Sequence, residues 1–403
     1  MTHAIATPDS LTIRWVGCAA EAPAGLWEAC FSGVVEGRWW YEALENSRLE
    51  DQFTFAYGVI SRGTEPIGIA PTFIMNVPMD LIAPPWGVRL LRAAGRLVPR
   101  VKYQRTLFVG SPCSDEGVVG LVRGESLETV APALQAALLK RARTMRAGML
   151  LWKDFGPASA QAMERLCDEK AVFRVVSFPG TVVDLRGGSF EAYLQTLRGD
   201  YRYSLRKKLR RSRAQGPLLA EVLQRPNAAC LDEIFALFQQ TYEKGKTKFE
   251  RLNGEFFRRM AACPECTFLT LRLETGKMAA FMLCFLAGDK AINKFIGMDY
   301  SLGGDWYLYF RLWEQAVLWA TAAGAKEIQS GQTGYQAKHD LGHSLIPLNN
   351  YVRHRNVVLH PIYKMAGQSV TWADLDADLA RRNHDTADGV TPAPQAVAQV
   401  GVD

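Results

Sequence analysis

Between Tyr335 and His343 the chain reads YQAKHDLGH, a run dense in side chains that can do chemistry. A tyrosine can give a proton, a lysine can hold a developing anion, and an imidazole can take a proton near neutral pH. Tyr335, Lys338 and His339 are therefore candidate catalytic groups, with a structural role for the histidine-rich run as the rival reading. His339 and His343 are four apart, a spacing that would suit zinc on a helix. The H-E-x-x-H arrangement is missing and Gly342 weakens a helix there, so no metal is assigned. Asp299 is the fourth catalytic candidate, at the end of a strand-like run.

A second group of residues suits a phosphate. Gly303 and Gly304 form a turn that leads through Trp306 and Tyr307 into a helix expected from Tyr307 to Ala323. A helix N-terminus offers N–H groups and a positive dipole end to an anion. Neither G-x-G-x-x-G nor G-x-x-x-x-G-K-[ST] is present, so this is not a Rossmann site or a P-loop. Arg198 to Arg213 carries eight basic residues and one acid. On a helix, Leu194, Leu197, Tyr201, Leu205 and Leu209 make the buried stripe, and Arg198, Arg202, Arg206 and Arg210 share another face. That face suits the phosphates of a coenzyme, of tRNA or of lipid headgroups. Its rival is a solvated basic surface. Arg202 and Arg206 join Gly303, Gly304, Trp306 and Tyr307 as candidate donor-binding residues.

The elements that must position these groups repeat. Ile292 to Met298 and Glu327 to Ser330 are expected strands around the Tyr307 helix, with Gly324 as its cap. Thr267 to Leu273 and Met278 to Leu286 form a strand pair around a Gly276 turn, and Leu231 to Tyr242 is a helix. The first half has a similar plan. A single helix is expected from Trp27 to Leu44, with an aromatic knot at Trp39, Trp40 and Tyr41. The strands Phe53 to Ile60 and Ile67 to Met75, helix Ala131 to Met145 and strand Met149 to Trp152 follow. An internal repeat near 180 residues accounts for both halves. The expected division is a frayed 1–11, a first unit 12–180 that shapes the substrate, a second unit 181–366 that carries the chemistry, and a short helix with a disordered tail over 367–403.

Composition sets bounds. At 403 residues, 48% hydrophobic and 22% charged, the chain can bury two cores. A net charge of +6 is too small to imply bulk polyanion binding. No apolar run is long enough to span a bilayer, and MTHAIATPDS lacks the plan of a signal peptide, which gives a cytoplasmic expectation. The eight cysteines form no framework and are read as reduced thiols; Cys263 and Cys266 have zinc spacing without a second pair. Val77 to Tyr103 mixes Leu, Trp and Pro with five cations and one acid. It reads either as a peripheral contact with an anionic membrane or as a helix packed on its domain.

One order of features is familiar: Gly288-Asp289-Lys290-Ala291, the Gly303-Gly304 turn, Ala323-Gly324-Ala325, then Gly331 to Lys338. It resembles the GNAT superfamily of N-acetyltransferases, and within it the FemAB-like and related acyltransferases that fuse two such domains. The resemblance is good over Ser189 to Tyr363 and fainter before. The loop from Asp299 to Gly304 departs from the usual phosphate loop, lacking its leading Gln or Arg. The resemblance implies an α/β fold of two GNAT-like domains, each a mixed twisted sheet flanked by helices. It also implies transfer of an acyl group from acyl-CoA, as co-substrate and with no bound cofactor, to a primary amine. The amine would be lipophilic, such as a sphingoid base, if Val77 to Tyr103 meets a membrane. In that chemistry His339 is a base, Lys338 steadies an oxyanion or phosphate, Tyr335 protonates the leaving group and Asp299 orients the amine. Aminoacyl transfer from tRNA to a peptidoglycan or peptide precursor is the alternative within enzymes. A non-catalytic phosphate- or nucleic-acid-binding protein is the alternative outside them.

Overall fold

The computed structural model describes residues 10–78, 103–245 and 250–385. The first half supplies strands β1 (Leu11–Val16), β2 (Thr54–Arg62), β3 (Glu65–Pro78), β4 (Tyr103–Val109), β5 (Gly120–Leu121), β6 (Met149–Phe155), β7 (Phe173–Val176) and β8 (Gly180–Asp184). Its helices are α1 (Ala24–Cys30), α2 (Arg38–Glu45), α3 (Leu127–Thr144) and α4 (Ala160–Asp168). The second half supplies β9 (Leu218–Leu223), β10 (Cys266–Leu273), β11 (Met278–Ala287), β12 (Lys290–Met298), β13 (Glu327–Ser330), β14 (Ser344–Ile346) and β15 (Asn349–His354). Its helices are α5 (Phe190–Thr196), α6 (Gly199–Gln215), α7 (Ala228–Lys244), α8 (Gly254–Ala262), α9 (Leu308–Ala322), α10 (Tyr335–Asp340), α11 (Leu359–Gln368), α12 (Trp372–Leu375) and α13 (Ala377–Asp385).

These strands make two mixed sheets flanked by helices. One runs β1-β2-β3-β4-β6-β15-β7, with β5 beside β3; the other runs β14-β8-β13-β12-β11-β10-β9. Each contains one parallel pair bridged by a long helix, β4 with β6 across α3 and β12 with β13 across α9. A parallel pair needs such a crossover, which is the helical repeat visible in the sequence. The chain also crosses between sheets. β8 pairs β13 and β14 in the second sheet, while β15, near the C-terminus, lies between β6 and β7 in the first. The first sheet thus contains β15 from the second half's stretch of chain, whereas β8, which begins at the expected boundary, lies in the second sheet.

The two halves share a core. Trp39 and Trp40 of α2 lie 5.9 and 6.0 Å from Phe285 of β11, and Trp40 lies 6.4 Å from Phe256 of α8. Buried aromatic pairs of this kind are worth about 0.5–1.5 kcal/mol each beyond the area they hide. The knot expected at Trp39 to Tyr41 is therefore a joint between halves.

One expected element is corrected. The single helix from Trp27 to Leu44 is two helices, with a break over residues 31–37. Gly33 takes φ +78°, which ends the first helical path, and Gly37 starts the second in extended geometry. Leu11, placed in a frayed start, already opens β1. Apart from its ends, the membrane-contact segment 77–103 lies outside the described residues, as does the tail beyond Asp385. No helix among the described residues is long and apolar enough to cross a membrane.

Candidate active site

The parallel pairing of β12 with β13 ends at Asn293 and Ser330. From Lys294 to Met298, β12 continues without that partner, while β13 gives way to Gly331. The strands part here, and the polar groups of both halves gather at the parting. Ser330 donates to Asn293 Oδ1 at 2.5 Å, and its carbonyl accepts from Thr181 at 2.9 Å.

Lys294 stands just beyond the last paired residue and is buried. Its Nζ lies 2.8 Å from Glu36, 3.0 Å from Asp115 and 3.2 Å from the Cys113 carbonyl. The ring of Trp40 is 5.2 Å away. Burial would push its ammonium down, but Asp115 and Glu36 outweigh that and hold it above the usual lysine range. Lys338, in α10, is also buried and donates to the Gly331 carbonyl. Burial pushes its ammonium down to about 8, with Asp115 opposing. A Cβ on Gly331 would come within 2.9 Å of Asp115 Oδ1, so the close approach of the two halves depends on a glycine there. Glu116 closes the cluster. Burial lifts its carboxyl, Lys290 pulls it back, and Glu36, Asp115 and Asp154 add to the rise. The junction thus holds one lysine fixed as a cation and a second poised to lose its proton near pH 8.

The other predicted groups disperse around this junction. Tyr335 is fully buried and donates to the Pro179 carbonyl at 2.9 Å; burial raises its phenol, a backbone contact with Thr333 opposing. Its proton is engaged in holding α10 to the link between β7 and β8. His339 turns to the basic helix α6, its Nδ1 3.4 Å from the Tyr201 hydroxyl and its ring packed edge-on at 5.1 Å. His343 packs on Trp313 at 4.8 Å. Asp299 is the cap of a short turn, accepting from Ser301 N at 3.0 Å and Oγ at 2.6 Å and from Lys277 at 2.6 Å. Burial would raise its carboxyl, but these bonds outweigh it and hold it below the usual carboxylate range. These contacts direct Asp299 to its own turn and not to the lysine cluster.

Gly303 takes φ +81°, and a Cβ on Gly303 or Gly304 would meet no atom within 4 Å. The turn is open on that side. Trp306 and Tyr307 lead into α9, and Tyr307 itself is left-handed at φ 45°. The loop is held by the far end of α6: Ser212 donates to the Trp306 carbonyl at 2.6 Å, and Arg211 pairs Asp305 at 2.8 Å and lies over the Tyr307 ring at 5.6 Å. Arg202 and Arg206 face α5 instead, bonded to Gln195 and Glu191. Cations near the loop among the described residues include Arg211, Lys277 on Asp299, Lys244 over the Tyr300 ring at 3.9 Å and, over the Phe310 ring at 4.0 Å, Lys208. The leucine stripe of α6 is buried as its spacing requires, through Leu205 and Leu209.

Lys294, Glu36 and Asp115 were not legible as a set. They are far apart in sequence, and only the shared core brings them together. No cluster of His, Cys, Asp and Glu suited to a metal occurs among the described residues.

Comparison with known proteins fits this arrangement. The GNAT acetyltransferase domain family matches residues 199–339. No curated protein sequence matches the chain. Among solved structures the chain is similar to FemX, at 10% identity and TM-score 0.56, over 87% of this chain and 100% of that one. It is similar to a conserved protein of unknown function from Bacteroides thetaiotaomicron, at 14% identity and TM-score 0.51, over 85% and 99%. A tandem GNAT protein from the clavulanic acid biosynthesis pathway aligns at 10% identity and TM-score 0.49, over 86% and 99%. Residues 199–339 thus match the GNAT acetyltransferase domain family, and the chain as a whole shares its fold with FemX.

Proposed function

We propose that the chain is an N-acyltransferase that moves an acyl group from acyl-CoA to a primary amine, with the reaction centred where β12 and β13 part. The observation that carries this reading is the pair of buried lysines at that parting, one held charged and one pushed down to about 8. The amine nitrogen attacks the thioester carbonyl, the C–N bond forms, the C–S bond breaks, and the thiolate leaves with a proton released by the amine. Lys338 faces the oxyanion of the tetrahedral intermediate, a role in which one donor typically contributes 10²–10³ in rate. His339, expected from the sequence to take the amine proton, faces Tyr201 on α6 and is given no part at the lysine junction. The open Gly303-Gly304 turn with Trp306, Tyr307 and the start of α9 receives the donor's phosphates, assisted by Arg211. A lipophilic acceptor, such as a sphingoid base, is the reading that the mixed apolar and basic composition of residues 77–103 supports if that segment meets a membrane.

A second reading is aminoacyl transfer from aminoacyl-tRNA. It is favoured by the likeness in fold to FemX and by the row of arginines on α6. The two readings separate in one experiment. The protein is incubated with acyl-CoA of several chain lengths and a panel of amines, and free thiol is followed; in parallel, labelled aminoacyl-tRNA is followed for loss of label. Amine-dependent thiol release supports the CoA reading. Consumption of aminoacyl-tRNA alone would replace it.

A further inference from the structure

The end of the first sheet opposite the lysine junction has an unusual surface. Val357 is 78% exposed, Val358 68% and Met365 71%, and Leu359 and Ile362 are also exposed. Val358, Ile362 and Met365 are spaced four and three apart, which puts them on one side of α11. The other side packs on the sheet: His360 lies 5.2 Å from Phe173, Tyr363 stacks on His354 at 4.9 Å, and Gly367 sits against Val175. The outward apolar ridge is therefore a fixed feature of a docked helix. Monomeric proteins seldom leave such a contiguous ridge bare without use.

Charge identifies what would meet it. No acid occurs from Leu341 to Ala373, from Tyr103 to Ser114 or from Thr129 to Lys153. The strand register brings part of each stretch to this end. Tyr103 pairs Pro78, Thr106 pairs Met149, and Met149 pairs His354. Gly148 joins them, donating to the Arg105 carbonyl and accepting from Arg355 N, each at 2.9 Å. Arg355 in turn donates to the Ala142 and Ala147 carbonyls at the end of α3. Arg353, 3.3 Å from His360, and Lys364 and Arg174, which share a groove, lie beside the ridge, and Arg105, Arg143, Arg146 and Arg355 stand at the same end of the sheet. The acids near the ridge among the described residues include Glu164 and Asp168 of α4, which line a groove with Arg174 and Lys364, and Glu169, which is paired with Arg165 at 3.1 Å. Apolar side chains pointing outward beside a rim in which cations outnumber acids match the interface of an anionic bilayer, where the hydrophobic contact and the charge attraction add.

We propose that this end of the molecule, with the α11 ridge at its centre, docks on an anionic lipid bilayer. The proposal is independent of the donor and acceptor in the reaction. It is tested on the full chain by flotation with vesicles of phosphatidylcholine alone and mixed with phosphatidylglycerol, at low and high salt. The wild-type protein should float with the mixed vesicles and release at high salt. The combined change Val358→Ser, Ile362→Ser and Met365→Ser should weaken binding about tenfold or more, with folding unchanged by circular dichroism. Leu286→Ser with Leu318→Ser, exposed apolar positions in the second half, should leave binding unaltered. No flotation of the wild type, or equal flotation of the triple variant, overturns the proposal. A wild-type dimer by light scattering that the triple variant turns into monomer would assign the ridge to contact between copies and overturn it as well.

Discussion

At the residue scale the junction depends on how two lysines share a few carboxylates. Lys294 has two carboxylates in contact, whereas Lys338 has a carbonyl and the more remote charge of Asp115. The difference gives a testable pH dependence. In the unfolded chain a lysine titrates near its ordinary value of about 10.4. In the fold Lys338 does so at about 8. Below pH 8 both states hold the proton and the fold bears the whole cost of a buried charge. Between the two values the unfolded chain binds more protons, so this lysine's contribution to stability rises with pH. Lys338→Met removes the titration. The stability advantage of Lys338→Met over wild type, measured by urea unfolding, should therefore shrink as pH is raised from 8 to 10. An advantage that is constant across that range would show that Lys338 is not depressed.

At the scale of elements, the lysine of β12 joins a strand of one half to loops of the other. Lys294→Met leaves Glu36 and Asp115 buried without their cation, and losing one partner of a buried pair typically costs about 3–5 kcal/mol. Adding Glu36→Gln and Asp115→Asn should recover part of that loss, because no unpaired charge then remains. Urea unfolding of the single and triple variants measures both; a loss under about 1 kcal/mol in the single variant would contradict the arrangement. The elements themselves were largely legible. Alternating apolar residues gave the β2–β3 and β10–β11 pairs, and helical spacing gave α6, α7 and α9. Glu36 was hidden because its segment has helical spacing on both sides. Only the left-handed Gly33 shows that the chain leaves the helix and carries the carboxylate to β12. Likewise, Lys338 and His339 were read from one short run, yet neighbouring residues on a helix point about 100° apart, so they turn to different partners, the Gly331 carbonyl and Tyr201.

At the scale of the whole molecule, the internal repeat in the sequence corresponds to two sheets with one helix-bridged parallel pair each, and the family match covers only the second. The exchange that puts β15 in the first sheet has no local sequence signal, since it depends on pairings between segments far apart in the chain. That exchange and the tryptophan joint bring the first half's carboxylates to the second half's lysines, so the candidate site belongs to both. The most direct measurement of the central claim is the single-turnover rate of acyl transfer in Lys338→Ala, taken with donor affinity and melting temperature on the same preparation. A lysine facing the oxyanion at this junction predicts a rate lower by about 10²–10³, with donor affinity and melting temperature little changed. A wild-type rate in a folded, donor-binding Lys338→Ala protein would contradict it.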